Sequence, residues 1–349
     1  MNKVAQLSTK EREELFRETA SRNGRFNSVT AEKDFWVCWI LKILFELPDL
    51  KDHLIFKGGT SLSKVYDAIE RFSEDIDISI AREHLGLVDE KDPASSDISG
   101  KARKKLLEKV LPQIATEYIC GQLKSELEKA VKSVLCDQFD WKLEVDPDDI
   151  AKQTLLFWYP TSIKAPKGYD YIKQFVRLEL GVRSDQWPSE TFNIASYAAE
   201  QFPQFFEETT CKINCLSINR TFWEKLTILH ARYHKREDSK LPERCSRHYY
   251  DIYRLLKQKD RLGIDTDNLD LLATVREHKK IFFKSSWANY DTAVPGSLRL
   301  VPPDSRRPEL AEDYRLTIRD MLYGEKPTLD EILATIANFE KKFNEKGTL

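Results

Sequence analysis

Two aspartates separated by one isoleucine, Asp75 and Asp77, are the residues whose type and spacing most directly suggest chemistry. They stand in the run DIDISI, residues 75–80, where isoleucines alternate with polar residues. Side chains of a strand alternate between its two faces, so a strand here places both carboxylates and Ser79 on one face. Carboxylate oxygens are the ligands that a hard cation such as Mg²⁺ prefers. Ions held in this way can assist a displacement at phosphorus.

A glycine turn precedes these aspartates and supplies a second element of the same chemistry. HLIFK, residues 53–57, predicts a short strand that ends at Gly58-Gly59. Thr60 and Ser61 are suitable N-cap residues for a helix, whose apolar positions are Leu62, Val65, Tyr66 and Ile69. The start of a helix offers free N–H groups to a phosphate, and glycine lets the phosphate approach closely. Strand, glycine turn, helix and DxD strand together predict a nucleotidyl-transfer site.

Each feature has an ordinary structural interpretation when it stands alone. A glycine pair is usually only a turn, and a DxD sequence is usually a solvated strand face. A glycosidase or phosphatase could also use paired acids, but neither needs a glycine turn that leads into a helix. The order of the features in one continuous stretch therefore favours nucleotidyl transfer.

The stretch KGGTSLSKVYDAIERFSEDIDIS, residues 57–79, resembles the first motif of the AbiEii/AbiGii-type nucleotidyltransferases. These are toxin components of bacterial toxin–antitoxin and phage-defence systems, within the DNA polymerase beta superfamily. EKDFW at 32–36, RHYYDIYRL at 247–255 and LRLVPP at 298–303 are also similar to the family pattern. The spacing from the turn to DxD leaves open whether the hydroxyl of Thr60 or of Ser61 faces the phosphate.

The resemblance implies an α+β fold with a polymerase-beta-like core and a mixed sheet, followed by a mainly helical domain. We expect the core, with N-terminal helices and a helical insertion at 101–135, to occupy residues 1–188. Residues 189–349 then form the mainly helical domain, and helical patterns dominate from about 190. Further strands are predicted at 141–145, 155–160 and 175–182, where β-forming residues are bounded by turn residues.

The resemblance also implies a set of site residues. Asp75 and Asp77 ligate Mg²⁺ or Mn²⁺. Glu179, on the polar face of FVRLELGV, is the candidate third carboxylate. Lys225, on the amphipathic helix 221–235, neutralises phosphate charge from an exposed position, and Asp251 pairs with it or assists the nucleophile. The NTP is bound by Lys57, Gly58, Gly59, Thr60, Ser61 and Arg232.

By the same resemblance, the reaction moves a nucleoside monophosphate from an NTP to an acceptor. The expected acceptor is the 3′ end of a tRNA, and a cognate antitoxin holds the resulting growth arrest in check. Two alternatives remain at this point: an NTP-binding regulatory protein without turnover, and transfer to a protein acceptor.

Composition agrees with a soluble, cytoplasmic enzyme. The 349 residues are 41% hydrophobic and 32% charged, with a formal net charge of −2. The most apolar run, FWVCWILKILFEL, is interrupted by Lys42 and predicts a buried helix, so no membrane partner is expected. The N-terminus has no secretory apolar segment, and six irregularly spaced cysteines suggest reduced thiols.

Two further patterns have a functional and an ordinary interpretation. The basic runs at 101–109 and 231–236 are usually solvated helix faces, but beside a nucleotidyl-transfer site they could steer an RNA backbone. The spacing of the thiols and one imidazole loosely resembles a zinc site, although small buried cysteines are the favoured interpretation. The residues concerned are Cys211, Cys215, Cys245 and His248.

Overall fold

The chain folds into two compact units. The computed structural model describes residues 1–73, 75–164, 173–236 and 238–348. The first unit consists of Met1–Val65 and Ser73–Leu216, and the second of Tyr66–Phe72 and Ser217–Leu349. The main division between the units therefore falls at 216/217 rather than at the expected 188/189. In addition, the seven residues 66–72 belong to the second unit, although they lie in the sequence among residues of the first.

A mixed sheet is the centre of the first unit. Its strands are β1 (Leu54–Lys57), β2 (Asp75–Ile80), β3 (Lys142–Val145), β4 (Thr154–Trp158), β5 (Phe175–Gly181), β6 (Ser189–Ala195) and β7 (Thr210–Leu216). Their order is β3-β4-β5-β2-β1-β7-β6. The β2–β5 and β1–β7 pairs are parallel, and the other neighbours are antiparallel. The predicted α+β class with a mixed sheet is confirmed, as are the strands expected from the sequence before residue 188.

The dominance of helix from about 190 onward is a wrong prediction for the first part of that stretch. β6 and β7 pair in register from Ser189↔Leu216 to Ala195↔Thr210. β6 forms an edge of the sheet, and most of its side chains are exposed or half-buried. An edge strand of this kind lacks the apolar alternation that identifies a strand in a sequence.

The helices of the first unit lie before and between these strands in the sequence. They are α1 (Asn2–Ala5), α2 (Thr9–Asn23), α3 (Ser28–Phe45), α4 (Gly58–Lys64), α5 (Gly100–Lys105), α6 (Leu111–Tyr118), α7 (Lys124–Leu135) and α8 (Tyr197–Gln201). Two π-helical turns, Leu106–Val110 and Ile119–Leu123, join α5, α6 and α7. The expected N-terminal helices and helical insertion are both confirmed.

The apolar run of the sequence forms α3, which is buried on all sides. Asn27 caps its start by accepting from the Thr30 amide at 2.9 Å. Trp36 and Trp39 pack edge to face, with ring centroids 5.4 Å apart, and Trp39 stacks on Phe157 of β4 at 5.7 Å. From Phe35 onward α3 is apolar on nearly every side, interrupted by Lys42, and a helix of this kind belongs in a core, as the sequence indicates. No helix in the described residues has the length and apolar content needed to span a membrane.

The second unit is mainly helical, as expected. Its helices are α9 (Ile218–Tyr233), α10 (Ser246–Lys257), α11 (Lys259–Leu262), α12 (Leu269–Phe282), α13 (Arg307–Asp320) and α14 (Leu329–Glu345). Ser217 caps α9, and Thr328 forms a capping box with Glu331 at the start of α14. These caps satisfy N–H groups that have no partner within the helix.

The segment 66–72 is held in the second unit by backbone and side-chain bonds. The Phe72 amide donates to the Met321 carbonyl at 2.8 Å, and Arg71 forms a β-bridge with Leu322. Gln258 of α10 donates to the Ala68 carbonyl at 2.9 Å. The segment is thus an integral part of the helical unit, although it lies in the sequence between α4 and β2.

Candidate active site

The expected alternation of β2 is present. Ile76, Ile78 and Ile80 are completely buried, while Asp75 and Asp77 are half-buried on the opposite face. In the parallel pairing of β2 with β5, Asp77 lies opposite Glu179. We call Asp75, Asp77 and Glu179 the acid face. It places three carboxylates on adjacent strands, since side chains in register on one face are neighbours.

Basic residues lie next to the acid face on both neighbouring strands. Arg177 lies opposite Asp75 in the register of β2 and β5. Its guanidinium contacts the Asp146 carboxylate at 2.9 Å and the Glu179 carboxylate at 3.6 Å. On the other side of β2, Lys57 of β1 lies opposite Asp77. These cations reduce the repulsion between carboxylates that lie close together on one face.

Gly58 lies directly against the acid face. Its φ of +81° is in the region that favours glycine, and a Cβ atom there would meet Asp77 Oδ2 at 1.8 Å. The glycine is required both by the backbone conformation and by the close approach of the carboxylate. The turn and the DxD strand, recognised separately in the sequence, are therefore brought into contact.

The helix after the turn differs from the prediction at both ends. α4 begins at Gly58 with Lys57 as its N-cap residue, so neither Thr60 nor Ser61 is the cap. It ends at Lys64 instead of continuing to Ile69, because the chain turns at Asp67, whose φ is +46°. Lys64 itself is buried and pairs with Asp34 of α3 at 2.8 Å.

The hydroxyl groups of the turn are used inside the protein. Thr60 Oγ1 donates to the backbone carbonyl of Asp75, and Ser61 Oγ donates to the Gly58 carbonyl at 2.9 Å. Both residues are buried. Thr60 thereby ties α4 to β2, and the backbone N–H groups at the start of α4 are left as the donors that a phosphate can reach.

The donor set of the acid face fits a divalent cation. Asp75 and Asp77 offer carboxylate oxygens from one strand face, which is the ligand type that Mg²⁺ and Mn²⁺ prefer. The Asp77 side chain makes no hydrogen bond or ion pair with any other described residue. Within the described part of the chain, no three His, Cys, Asp or Glu side chains are already gathered as a metal site. Asp75 and Asp77 are the residues of this face that could hold such a cation.

The loose zinc pattern is not assembled in the described residues. Cys211 and Cys215 are both buried on β7, as the alternation of that strand requires, and Cys211 Sγ donates to the Cys38 carbonyl at 3.8 Å. Cys245 is buried beside the start of α10, and all six cysteines are free thiols. Their burial agrees with packing as small apolar side chains.

A second group of charges lies in the second unit. Lys225 of α9 donates to Asp251 Oδ2 of α10 at 2.8 Å, and Arg71 of the segment 66–72 binds the same carboxylate. Arg71 Nε is 2.7 Å from Oδ1, and Nη2 is 2.8 Å from Oδ2. We call Arg71, Lys225 and Asp251 the charge triad. All three side chains are buried, and Asp251 has no exposed surface.

The triad corrects the expectation that Lys225 lies on an exposed helix surface. Only 10% of its side chain is exposed, because α10 packs over it. Burial alone would raise the pKa of Asp251, but Arg71 and Lys225 outweigh burial and hold this pKa well below its ordinary value. The two cations therefore favour the ionised form of Asp251.

The residue that sequence reasoning missed is Arg71. It stands within the motif at 57–79 that carries the family resemblance, four residues before Asp75, which is a signal of its importance. Its partner, however, is 180 positions away along the chain. No spacing rule connects residues so far apart, so its role emerges only from the fold.

Further cations lie on the same two helices as Lys225 and Asp251. Arg232 and Arg247 are half-buried and form no ion pair with another described residue. Burial lowers the pKa of His248 well below its ordinary value, and the charges of Lys225, Arg247 and Arg232 lower it further. This part of α9 and α10 therefore has an excess of positive charge, which suits an anionic ligand.

Comparison with known proteins gives the family. A sequence model described as "Nucleotidyl transferase AbiEii toxin, Type IV TA system" matches residues 39–341. The chain belongs to the AbiEii family. This AbiEii protein is accordingly a nucleotidyltransferase toxin of a type IV toxin–antitoxin system, and membership implies an NTP substrate and an antitoxin partner.

Two other comparisons add little to this assignment. No curated protein matches the sequence of this chain. Among solved structures, it is similar to MenT4, a nucleotidyltransferase toxin from Mycobacterium tuberculosis H37Rv, at 15% identity and a TM-score of 0.38. That likeness covers 89% of this chain and 99% of MenT4.

Proposed function

We propose that this AbiEii protein transfers a nucleoside monophosphate from an NTP to the 3′ end of a tRNA, with Mg²⁺ or Mn²⁺ bound by Asp75 and Asp77. The observation that carries the proposal is the contact of the glycine turn with the acid face, where an added Cβ at Gly58 would lie 1.8 Å from Asp77 Oδ2. In this proposal the backbone N–H groups that bind phosphate and the carboxylates that bind the metal are neighbours, as phosphoryl transfer requires.

Each residue has a defined part in this proposal. The backbone of Gly58 and Gly59 binds phosphate oxygens, Lys57 adds positive charge beside Asp77, and Thr60 and Ser61 hold the turn through their hydroxyl bonds. Lys225 and Arg232 neutralise phosphate charge, with Asp251 as the partner of Lys225. The bound metal supplies further neutralisation of phosphate charge.

The reaction is a displacement at the α-phosphorus. The oxygen of the acceptor hydroxyl forms a bond to this phosphorus, the bond from phosphorus to the oxygen bridging to the β-phosphate breaks, and pyrophosphate leaves. Glu179 is our candidate to receive the hydroxyl proton, because its side chain is 42% exposed and lies opposite Asp77. In the cell, transfer to tRNA would arrest growth as part of phage defence until the antitoxin acts.

An RNA acceptor has support from the surface of the first unit. Lys101, Lys104 and Lys105 are exposed on α5, in the basic run that the sequence suggested could steer RNA. Lysines at a surface attract a phosphate backbone through salt-dependent electrostatics. We therefore expect transfer to RNA to weaken as the salt concentration rises.

The test is incubation of the purified protein with each α-³²P-labelled NTP, Mg²⁺ or Mn²⁺, and total RNA. We expect label in the tRNA fraction, and none when the 3′ ends of the RNA have been oxidised with periodate before the reaction. Label in protein instead would identify a protein acceptor. NTP binding without any labelled product would favour a regulatory role, and both results contradict the proposal.

A further inference from the structure

Arg71 binds Asp251 through both oxygens of the carboxylate. The Nε–Oδ1 and Nη2–Oδ2 distances are 2.7 and 2.8 Å, and both side chains are buried. This two-point contact fixes the orientation of the carboxylate as well as its position. A lysine in place of Arg71 could supply the charge but not the planar fork.

The same carboxylate also receives Lys225. Its ammonium lies 2.8 Å from Asp251 Oδ2, so one negative charge is shared between two positive charges. The triad therefore carries a net charge of +1. Without Arg71, the pair of Lys225 and Asp251 would be neutral, and the ammonium would attract a phosphate far less.

We propose that Arg71 is a positioning residue for nucleotidyl transfer: it satisfies Asp251, so that Lys225 is held in place and keeps an unneutralised positive charge for a phosphate group. The inference rests on the proposed function, in which Lys225 contacts the NTP phosphates. It adds the reason why a buried lysine with a carboxylate partner remains able to bind an anion.

The surroundings of Arg71 agree with a fixed position. On the same segment, Glu70 pairs with Arg254 of α10 at 2.9 Å, and the Glu325 amide donates to Glu70 at 2.8 Å. The Phe72 amide is bonded to the Met321 carbonyl. Arg71 is thus anchored on both sides along the chain, and Asp251 is oriented by a rigid group.

The probe is inorganic tripolyphosphate, titrated calorimetrically into the full chain at fixed salt. We expect Arg71→Met to weaken tripolyphosphate binding about tenfold or more, because Asp251 would then neutralise Lys225 and the charge-assisted contact of Lys225 with a phosphate group would be lost. Arg71→Lys should fall between Arg71→Met and the wild type. The matched control is Arg306→Met, which removes another buried guanidinium of the second unit, bonded to the Ser239 carbonyl at 2.7 Å, and leaves the triad and its anchors intact. We expect it to bind tripolyphosphate as the wild type does.

A double variant separates positioning from a merely structural role. The double variant Arg71→Met/Asp251→Asn removes both the Asp251 carboxylate and the Arg71 guanidinium. The positive charge of Lys225 is then no longer neutralised by a carboxylate. We expect tripolyphosphate affinity to return to within about threefold of wild type, as coupling between neighbouring residues allows. A structural role would leave the double variant no better than Arg71→Met. That outcome, or unchanged binding in Arg71→Met, overturns the inference.

Lys225→Met distinguishes this failure from failure of the proposed function. If Lys225→Met weakens tripolyphosphate binding and Arg71→Met does not, only the role of Arg71 is wrong. If Lys225→Met binds tripolyphosphate normally, the phosphate role of Lys225 is wrong, and the inference about Arg71 falls with it.

Discussion

The acid face of the first unit and the charge triad of the second unit hold charge in opposite ways. Asp75 and Asp77 are half-buried on a strand face, whereas Asp251 is completely buried and bound at three points by Arg71 and Lys225. The Asp77 side chain has no hydrogen-bond or ion-pair partner among the described residues, and the adjacent Gly58 has no side chain to cover it. The Asp77 carboxylate is therefore available to a ligand, whereas the Asp251 carboxylate is already paired within the fold.

The comparison predicts different consequences for removing a carboxylate from each region. On the acid face, loss of charge should abolish function and spare the fold, because repulsion is relieved. In the triad, loss of charge should damage the fold itself, because two buried cations lose their partner.

The largest expected effect is on transfer by Asp75→Ala and Asp77→Ala. Without a carboxylate ligand, turnover should fall by at least about 10³-fold. The free energy of unfolding should hold or rise. Labelled-NTP transfer and denaturant unfolding measure the two properties, with the exposed Asp148→Ala as a control for loss of charge. Wild-type turnover in the double variant would show that the metal ligands lie elsewhere.

Asp251→Ala should give the largest loss of stability. Removing the partner of two buried cations costs about 3–5 kcal/mol in the free energy of unfolding. The triple variant Arg71→Met/Lys225→Met/Asp251→Leu should recover most of this loss, because apolar residues of similar volume need no partner. Urea unfolding of both variants tests this pair. A small loss in Asp251→Ala would mean that the triad contributes little to the fold.

Gly58→Ala tests whether the glycine turn serves the reaction, with Gly86→Ala in the same unit as its control. Gly58 and Gly86 both have positive φ, but a Cβ at Gly86 meets no atom within 4 Å. Alanine at either position should cost about 1–2 kcal/mol of stability from backbone strain. Only Gly58→Ala displaces the Asp77 carboxylate, so transfer should fall in that variant alone. Equal transfer by both would show that the glycine turn has no part in the reaction.

The smallest effect is the pH dependence of the triad. The pKa of Asp251 is lower in the folded chain than in the unfolded chain, so the unfolded chain binds the proton first. The stabilisation is therefore complete above about pH 4 and is lost as pH falls toward the depressed pKa. The difference in unfolding free energy between wild type and Asp251→Asn should shrink from pH 7 to pH 3. A constant difference would contradict the assignment of charge.

Period-two alternation was sufficient to predict the faces of two strands. In β2 and β5 the buried apolar residues are the isoleucines, Val176, Leu178 and Leu180, as the sequence indicates, although Ser79 on the other face of β2 is buried as well. Alternation works here because both strands lie inside the sheet, where one face must be apolar. The adjacency of Asp77 and Glu179 required the sheet order as well, and the family resemblance supplied that expectation.

Residues whose partners are distant in sequence could not be predicted. Lys225 has the pattern of a surface lysine, and only the packing of α10 makes it buried. The early end of α4 depends on a turn at Asp67 and on the membership of 66–72 in another unit. Local propensity favours a longer helix there, and tertiary contacts override it.

The seven residues 66–72 also have a consequence for how this protein can be divided. A cut at 216/217 would leave them in the first fragment, so the second fragment would lack Arg71 and keep Asp251 with Lys225 alone. No single crossover in the coding sequence separates the two units intact. Exchange of either unit between related toxins therefore needs two joined replacements. A chimera built by one splice should fail to fold its helical unit, while one that also moves residues 66–72 should succeed.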